Sequence, residues 1–422
     1  MSKIVIIGGG ASGMMAAITV ARLGGTVTII ESQKKVGKKI LATGNGRCNF
    51  TNQVQETSCY HSDNVGFPFD IYQQFPYKET IVFFEELGIY PKSRNGYIYP
   101  YSDQAIAILD VLKMELERLG VQIIFEMQCK EIILQQQGFL LTLQKGCSEN
   151  VIELLADKVI IATGSKASNI AGSDGAGYNL AKSLGHTIVP VLPGLVSLRC
   201  AEPFYKRLVG LRMQGNIRLF VKNKEIAQDQ GEIQLTNYGI SGIPVFQVSR
   251  FAAKGLYQNQ QVRAEIDFMP DLSEKELERF LLKRCKQQPE KNMRDFLIGL
   301  FPNPFIEAVL LLTDSPVNKN AGMMSERMNA LAKQIKCLKT TIIDTNTFEQ
   351  AQVCSGGVDT KEVNSRTLES LLIRDLYFAG EVLDVDGICG GYNLQWAWSS
   401  GYVTGREAVN AKNQSIKIAH SS

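Results

Sequence analysis

Histidine is nearly absent: His61, His186 and His420 are the three in 422 residues, and no two have the spacing of paired metal ligands. Tryptophan is rarer still, with two, and the 13 prolines fall far short of a collagen-like chain. The nine cysteines (Cys48, Cys59, Cys129, Cys147, Cys200, Cys285, Cys337, Cys354, Cys389) are odd in number and contain no C-x-x-C. That argues against a disulfide framework or a zinc site and fits a reducing compartment. Charge of one sign is missing too, since 45 Lys+Arg face 42 Asp+Glu for a net +3. The balance makes no electrostatic case for nucleic acid, a membrane surface or an acidic substrate. No apolar run approaches the roughly 18 residues of a membrane span, and no signal-peptide pattern precedes the first apolar segment. The expectation is a soluble, cytoplasmic protein of two or three domains, at roughly 150 residues per domain. These figures leave its oligomeric state open.

What is present is a chain with 45% hydrophobic residues and 37 glycines, and its first thirty residues carry a clear pattern. Ile4 to Ile7 reads as a buried strand, Gly8-Gly9-Gly10-Ala11-Ser12-Gly13 follows, and Met14 to Leu23 reads as a helix. After Gly24-Gly25 a second strand, Thr26 to Ile30, ends at Glu31-Ser32. This is a βαβ unit with G-x-G-x-x-G at the strand-to-helix turn, the dinucleotide-binding fingerprint. Gly8 permits the tight turn, Gly10 lets backbone approach a pyrophosphate, and Gly13 lets the helix pack on the strand. Free N–H groups at Ala11, Ser12 and Gly13 and the positive dipole end face the phosphates. Glu31, 23 residues after Gly8, is placed to accept hydrogen bonds from ribose hydroxyls.

FAD and NAD share this fingerprint. Further strands are expected at Val121 to Phe125, Gly138 to Leu143, Val151 to Leu155 and Lys158 to Ala162, a meander ending in Ala162-Thr163-Gly164. Leu376 to Phe378 is another strand, running into Ala379-Gly380-Glu381, and the turn Gly387 to Gly391 opens a helix from Tyr392. This order of elements resembles the glutathione-reductase-like flavoproteins. The resemblance implies FAD, with the A-T-G turn passing the cofactor and the late Gly-Glu touching its ribityl chain.

Two longer segments narrow the likeness. One runs from Gly37 through Lys39, Gly44-Asn45-Gly46-Arg47-Cys48-Asn49 to Asn52, the other from Ala379 to Gly401. With Gly231-Glu232, Gly239-Ile240-Ser241-Gly242 and Cys354-Ser355-Gly356-Gly357-Val358, they resemble the signatures of the bacterial aminoacetone-oxidase-type FAD-binding family, also called the YhiN/BaiN family. The likeness covers essentially the whole chain. It departs from the family pattern at Asn237, where many members carry His, and at Tyr97-Ile98-Tyr99-Pro100, where an Arg-Val-Phe-Pro type is more usual.

The fold class expected is α/β: a Rossmann-like FAD-binding domain, parallel sheet plus β-meander, with an inserted β-barrel-like domain and a small helical domain. Residues 1–192 are expected to form the first part of the FAD domain and 193–272 a β-rich substrate domain. A helical insert is expected over 273–336, and 337–422 returns to the β-rich and FAD-binding domains. Strands are expected at Gly215 to Val221, Glu232 to Leu235 and Gln261 to Phe268. Ser273-x-x-Glu276 reads as a capping box opening a helix to about Cys285.

The resemblance implies cofactor contacts from Gly44, Gly46, Arg47, Cys48 and Asn49, and from Gly380, Glu381, Gly391, Tyr392 and Asn393, together with Ser32, Lys39 and Cys129. Cys48, Cys389 and Tyr392 are the candidates for acid–base work beside the flavin. A buried thiol is also simply a small hydrophobe, and the basic run Lys34, Lys35, Lys38, Lys39 reads either as a contact to an adenylate phosphate or an RNA backbone or as a solvated face. The sequence shows no second G-x-G-x-x-G domain, so either a reduced nicotinamide visits the flavin transiently or the substrate itself reduces FAD and oxygen reoxidises it. Three functions follow from the resemblance. The first is a small-molecule FAD oxidoreductase, either an amine or aminoketone oxidase or an NAD(P)H-dependent reductase of an activated double bond. The second reduces a base in ribosomal RNA, and the third is a flavin-binding sensor without turnover.

Overall fold

A computed structural model describes residues 2–146, 151–170 and 172–419, with side chains described through residue 410. Cys147 and His420 lie outside the described residues. The chain forms two compact units, Met1–Leu192 with Val353–Ser422, and Pro193–Gln352.

The first unit is built on a five-stranded parallel sheet. Its order is Leu376–Phe378, Lys158–Ile161, Lys3–Ile7, Thr26–Ile30 and Gln122–Ile124. Ile6 pairs with Ile29 on one side and Ile160 on the other, so the central strand is apolar on both faces, as a parallel sheet covered on both sides requires. The helix Ala11–Arg22 covers one face and packs along the C-terminal helix Tyr392–Ala419. Gly401 and Gly405 permit that approach, since a methyl on either would fall 2.4–2.6 Å from a carbonyl oxygen of Ser12 or Ala16. A three-stranded antiparallel meander joins Gln128–Leu134, Phe139–Gln144 and Val151–Ala156. Lys158–Ile161, expected to continue this meander, instead runs parallel to the first strand in the main sheet. There Val159, Ile160 and Ile161 meet apolar partners on both sides, while the buried Lys158 pairs with Asp375.

The second unit is a closed six-stranded barrel. Its strands are, in order, Leu198–Cys200, Gly239–Ser241, Lys224–Thr236, Arg212–Val221, Val262–Asp267 and Leu338–Thr345. Ile243–Tyr257 packs on it, and a helical group follows between Glu274 and Lys336. The capping box is present: the Ser273 hydroxyl accepts from the Glu276 N–H while the Glu276 carboxylate accepts from the Ser273 N–H. Asn237 lies in the turn between the strands Lys224–Thr236 and Gly239–Ser241. Among the described residues, no helix is long and apolar enough to cross a membrane.

One buried titratable cluster ties the first unit together. His186 lies edge-on to Phe378, with Nε2 3.0 Å from the Ser370 hydroxyl and Nδ1 3.3 Å from Glu362. Burial holds its pKa below the usual histidine value, although Glu362 pulls the other way. Glu362 is itself half-buried. That works against ionisation, but hydrogen bonds from the Thr187 N–H and hydroxyl, with His186, keep its pKa below the usual value. Both folded-state pKa values lie beneath the unfolded ones, so the unfolded chain binds more protons and both groups stabilise the fold at neutral pH. That contribution is lost as pH falls below about 6.5 through the folded His186 value, and further below about 4.5 for Glu362, at up to about 1.4 kcal/mol per pH unit per proton. Urea midpoints measured at pH 7 and 5 should show a smaller acid loss in His186→Gln than in the native chain. Equal losses would remove His186 from the account.

Candidate active site

The glycine turn after the first strand is shaped by close backbone approach. Gly8 has φ 108° and donates its N–H to the Ile30 carbonyl at 2.8 Å. A methyl there would lie 2.5 Å from the Ala162 carbonyl oxygen, and one on Gly13 would lie 1.9 Å from that of Gly8. Gly10 differs, because a methyl on it would meet nothing within 4 Å. Next to this open position the helix presents the first-turn N–H groups of Ala11, Ser12 and Gly13, which have no acceptors within the helix. The arrangement suits a pyrophosphate.

Glu31 is buried at the end of the second strand. One carboxylate oxygen accepts the Gly9 N–H at 2.8 Å; the other accepts the Gln33 N–H at 2.8 Å and the Ser32 hydroxyl at 3.3 Å. Its first task is therefore to brace the glycine turn, and by the usual count of about four lone-pair directions one remains for a ribose hydroxyl. The loop at Gly172 approaches Ser32, whose Oγ would be 3.4 Å from a methyl on that glycine. Cys129 is buried in the meander. Its thiol donates to the Glu131 carbonyl, and burial pushes its pKa up to about 12.

Distant segments close around the same turn. The Ala162 N–H donates to Ile7 at 2.9 Å, and Thr163 packs so tightly on Gly177 that a methyl there would sit 1.9 Å from its hydroxyl. Gly164 has φ 73°. Gly380, at φ 77°, donates to the Ser400 hydroxyl, accepts from the Trp396 indole, and leaves 2.4 Å between a built methyl and the Ser12 hydroxyl. Glu381 pairs with Lys39 at 2.6 Å and accepts the Cys354 N–H at 3.2 Å. The carboxylate thus joins three stretches of chain.

The two signature segments meet at a second pair of turns. Gly44, Asn45 and Gly46 all have positive φ (56°, 54° and 81°), and Arg47 beyond them is exposed. The following residues dock on the C-terminal helix. The Thr51 hydroxyl donates to Gln395 at 2.6 Å, Asn52 Nδ2 to the Gly390 carbonyl at 3.0 Å, and the Trp398 indole to the Phe50 carbonyl at 2.9 Å. Asn393 closes the turn in front of the helix. Its Oδ1 accepts the Gly387 N–H and its Nδ2 donates to the Gly387 carbonyl, both at 2.8 Å. Asn49 sits between the turns with its Oδ1 buried and without a hydrogen-bond partner among the described residues.

Sequence reasoning passed over the hairpin Pro91–Arg94 and Tyr97–Pro100. Tyr97 reaches Gly390, within 2.8 Å of a methyl built there, and Tyr99 lies 3.7 Å from one built on Gly44. Two residues apart on a strand, both rings share a face, while Ile98 between them is buried. The signal was the alternation in Tyr-Ile-Tyr. Burial raises the Tyr99 phenol above its ordinary pKa, with Arg47 and Arg94 acting in the opposite direction.

The acid–base candidates differ in access. Cys48 is fully buried at φ 57°, and burial pushes its thiol up to about 12, with a weaker opposing effect from Thr43. It is held as a neutral thiol. Native protein at pH 8 is expected to leave Cys48 unlabelled by iodoacetamide, and urea-unfolded protein to label it fully, as peptide mapping would show. Rapid native labelling would restore it as a reactive group. Tyr392 is also buried, packed edge-on to Tyr60 at 5.9 Å, with its phenol pushed up by burial and by Cys59. Cys389 is partly exposed in the glycine turn.

These features fit a dinucleotide: an open backbone cradle at Gly10, free helix-end donors beside it, and an unsatisfied buried acceptor at Asn49. Comparison with known proteins agrees. The family model described as the HI0933-like protein Rossmann domain matches residues 2–407. A 3-dehydro-bile acid delta(4,6)-reductase of Clostridium scindens is 44% identical over 412 residues, covering 97% of this chain and 99% of its own. A ribosomal RNA dihydrouridine synthase of Escherichia coli is 30% identical, covering 97% and 98%, and one of Haemophilus influenzae 31%, covering 95% and 97%. Among solved structures, a 3-ketosteroid-delta4-(5alpha)-dehydrogenase of Rhodococcus jostii has a TM-score of 0.50 at 14% identity, covering 96% and 97%, a likeness of fold.

Proposed function

The chain belongs to the HI0933-like Rossmann family, and from that premise we propose that it is an FAD-dependent oxidoreductase that reduces a carbon–carbon double bond conjugated to a carbonyl in a small, largely apolar molecule. The observation that carries this reading is the placing of Tyr97 and Tyr99 on one strand face against the Gly390 and Gly44 turns. The full-length 44% identity to a bile acid reductase supports it. Gly8–Gly13, Glu31 and Ser32 would hold the adenosine and pyrophosphate, Ala162–Gly164, Gly380 and Glu381 the middle, and the paired turns the ring. FAD, when bound, supplies hydride transfer.

The chain's own residues do the rest. Tyr97 and Tyr99 present flat apolar rings to a planar substrate and phenol O–H groups that can donate to its carbonyl oxygen as negative charge develops there. The N-terminus of the long helix at Tyr392 favours negative charge on the nearby ring. Cys389, a partly exposed thiol, and the two phenols are groups able to deliver a proton to the carbon beside the carbonyl. With no second G-x-G-x-x-G domain, NADH or NADPH would act as a transient reductant. The free thiols fit a reducing compartment, and we read the protein as cytoplasmic.

Anaerobic stopped-flow tests the reading. Bound flavin should bleach with NADH or NADPH and recover its colour on adding a conjugated cyclic ketone such as a 3-dehydro-Δ4,6 bile acid. Bleaching by an amine or aminoketone would instead make the protein an oxidase, the activity for which the resembled family is named. Recovery with ribosomal RNA but not with the ketone would move the substrate to a uracil base, whose double bond is also conjugated to a carbonyl. Flavin that responds to none of these would leave a sensor.

A further inference from the structure

Asn49 is taken out of water without being given a partner. Its residue is 8% exposed and its Oδ1 is fully buried, with no donor in reach among the described residues. An open buried acceptor is destabilising, and native chains keep one chiefly where something else completes it. The side chain lies where the two glycine turns converge. A methyl on Gly391 would come within 2.9 Å of Oδ1, and one on Gly44 within 3.0 Å of the Asn49 backbone nitrogen. Both glycines have positive φ, 95° and 56°, so the chain holds these positions bare on either side of the amide. The neighbouring polar side chains are already committed: Thr51 to Gln395, Asn52 to Gly390, and Asn393 to Gly387.

On the flavoprotein reading, we propose that Asn49 recognises the imide edge of the isoalloxazine ring, its carbonyl oxygen accepting the ring N3–H and its amide nitrogen donating to a flanking ring carbonyl. The edge presents acceptor, donor, acceptor in a row, and a carboxamide presents one of each. Because carbonyls flank N3 on both sides, the match survives either orientation of the amide. The position is consistent with the helix that begins at Tyr392, whose N-terminal end favours the pyrimidine part of the ring, where negative charge gathers on reduction. Asn49 is then the side chain that fixes the register of the ring between the turns.

The experiment titrates apo-protein with FAD and with 3-methyl-FAD, which lacks the N3–H, following flavin fluorescence in the native chain and in Asn49→Leu and Asn49→Asp. Native protein should bind FAD about tenfold more tightly than 3-methyl-FAD, the scale of one well-placed hydrogen bond. Asn49→Leu should bind FAD about tenfold more weakly than the native chain and treat the two flavins alike. Its thermal midpoint without flavin should rise, since it no longer buries an open acceptor. Asn49→Asp keeps an acceptor for the N3–H and should still prefer FAD, while its charge lowers the midpoint potential of the bound flavin. Unchanged FAD affinity in Asn49→Leu overturns the proposal, as does a preference for FAD that survives in that variant. Equal binding of both flavins by native protein overturns it too, and gives the open acceptor to a ribityl or substrate hydroxyl. If native protein binds neither flavin, the flavoprotein reading itself falls, and this proposal with it.

Discussion

Gly10→Val is expected to leave the apo-protein folded and to cost more than about 100-fold in FAD affinity, whereas Gly13→Val, three residues on, is expected to destabilise the fold severely. Gly10 sits at φ −80° and ψ −168°, backbone that a β-branched residue adopts readily, and a methyl there meets nothing within 4 Å. A substitution that touches nothing usually changes stability by less than about 0.5 kcal/mol, so the apo thermal midpoint should move by no more than about 2 °C. The same branches would fill the space through which a pyrophosphate reaches the helix end. Gly13 faces the opposite way. A side-chain carbon there would stand 1.9 Å from the Gly8 carbonyl oxygen, and Gly8 is itself pinned by its N–H to Ile30. Neither backbone can yield, so about 3 kcal/mol or more is lost from a total that is ordinarily about 5–15 kcal/mol. Flavin content and urea midpoints of the two variants decide the matter. A yellow Gly10→Val protein with native affinity would place the phosphates elsewhere.

That contrast shows what the sequence discloses and what it hides. The strand–glycine–helix unit at Ile4 to Ile30 was legible because each glycine has its own steric task at a fixed spacing. The strand Gln128–Leu134 was not, because a register shift between Cys129 and Glu131 breaks the period-two pattern and exposes Lys130 and Glu131 together. Lys158–Ile161 was recognised as a strand but placed in the wrong sheet, since its three apolar residues fit either and only long-range pairing with the first strand decides. At the site, the turns at Gly44 and Gly391 come together around Asn49, but several of the side chains named by the family resemblance turn inward to the protein. Glu381 pairs with Lys39, 342 positions away, and Cys48 disappears into the core beside Phe50. No reading of neighbouring residues anticipates such partners. The open acceptor of Asn49 is hidden for the same reason: only an account of hydrogen bonds reveals that its oxygen lacks one.

Asn393 brings this distinction to a test. The family resemblance implied a flavin contact at Asn393, yet its carboxamide is spent on the turn, accepting the Gly387 N–H and donating to the Gly387 and Ile388 carbonyls. Gly387 is buried and bridges to Tyr60, so water cannot replace the lost partner. Asn393→Ala leaves a buried N–H unsatisfied and is expected to lose about 2 kcal/mol, or about 4–8 °C in Tm, in the apo-protein. The loss of FAD affinity follows as a consequence, because Gly391 and the Asn49 amide shift when the turn loosens. Asn393→Asp separates the two halves of the clamp: it keeps the acceptor for Gly387 but sets a carboxylate against the Gly387 carbonyl, and should be at least as unstable as the alanine variant. A residue that merely touched flavin would behave in the opposite order, with apo stability unchanged and only affinity reduced, as expected for Gly10→Val. Calorimetry of apo and FAD-loaded Asn393→Ala therefore separates a clamp from a ligand contact. An apo Tm equal to that of the native chain would return Asn393 to the cofactor.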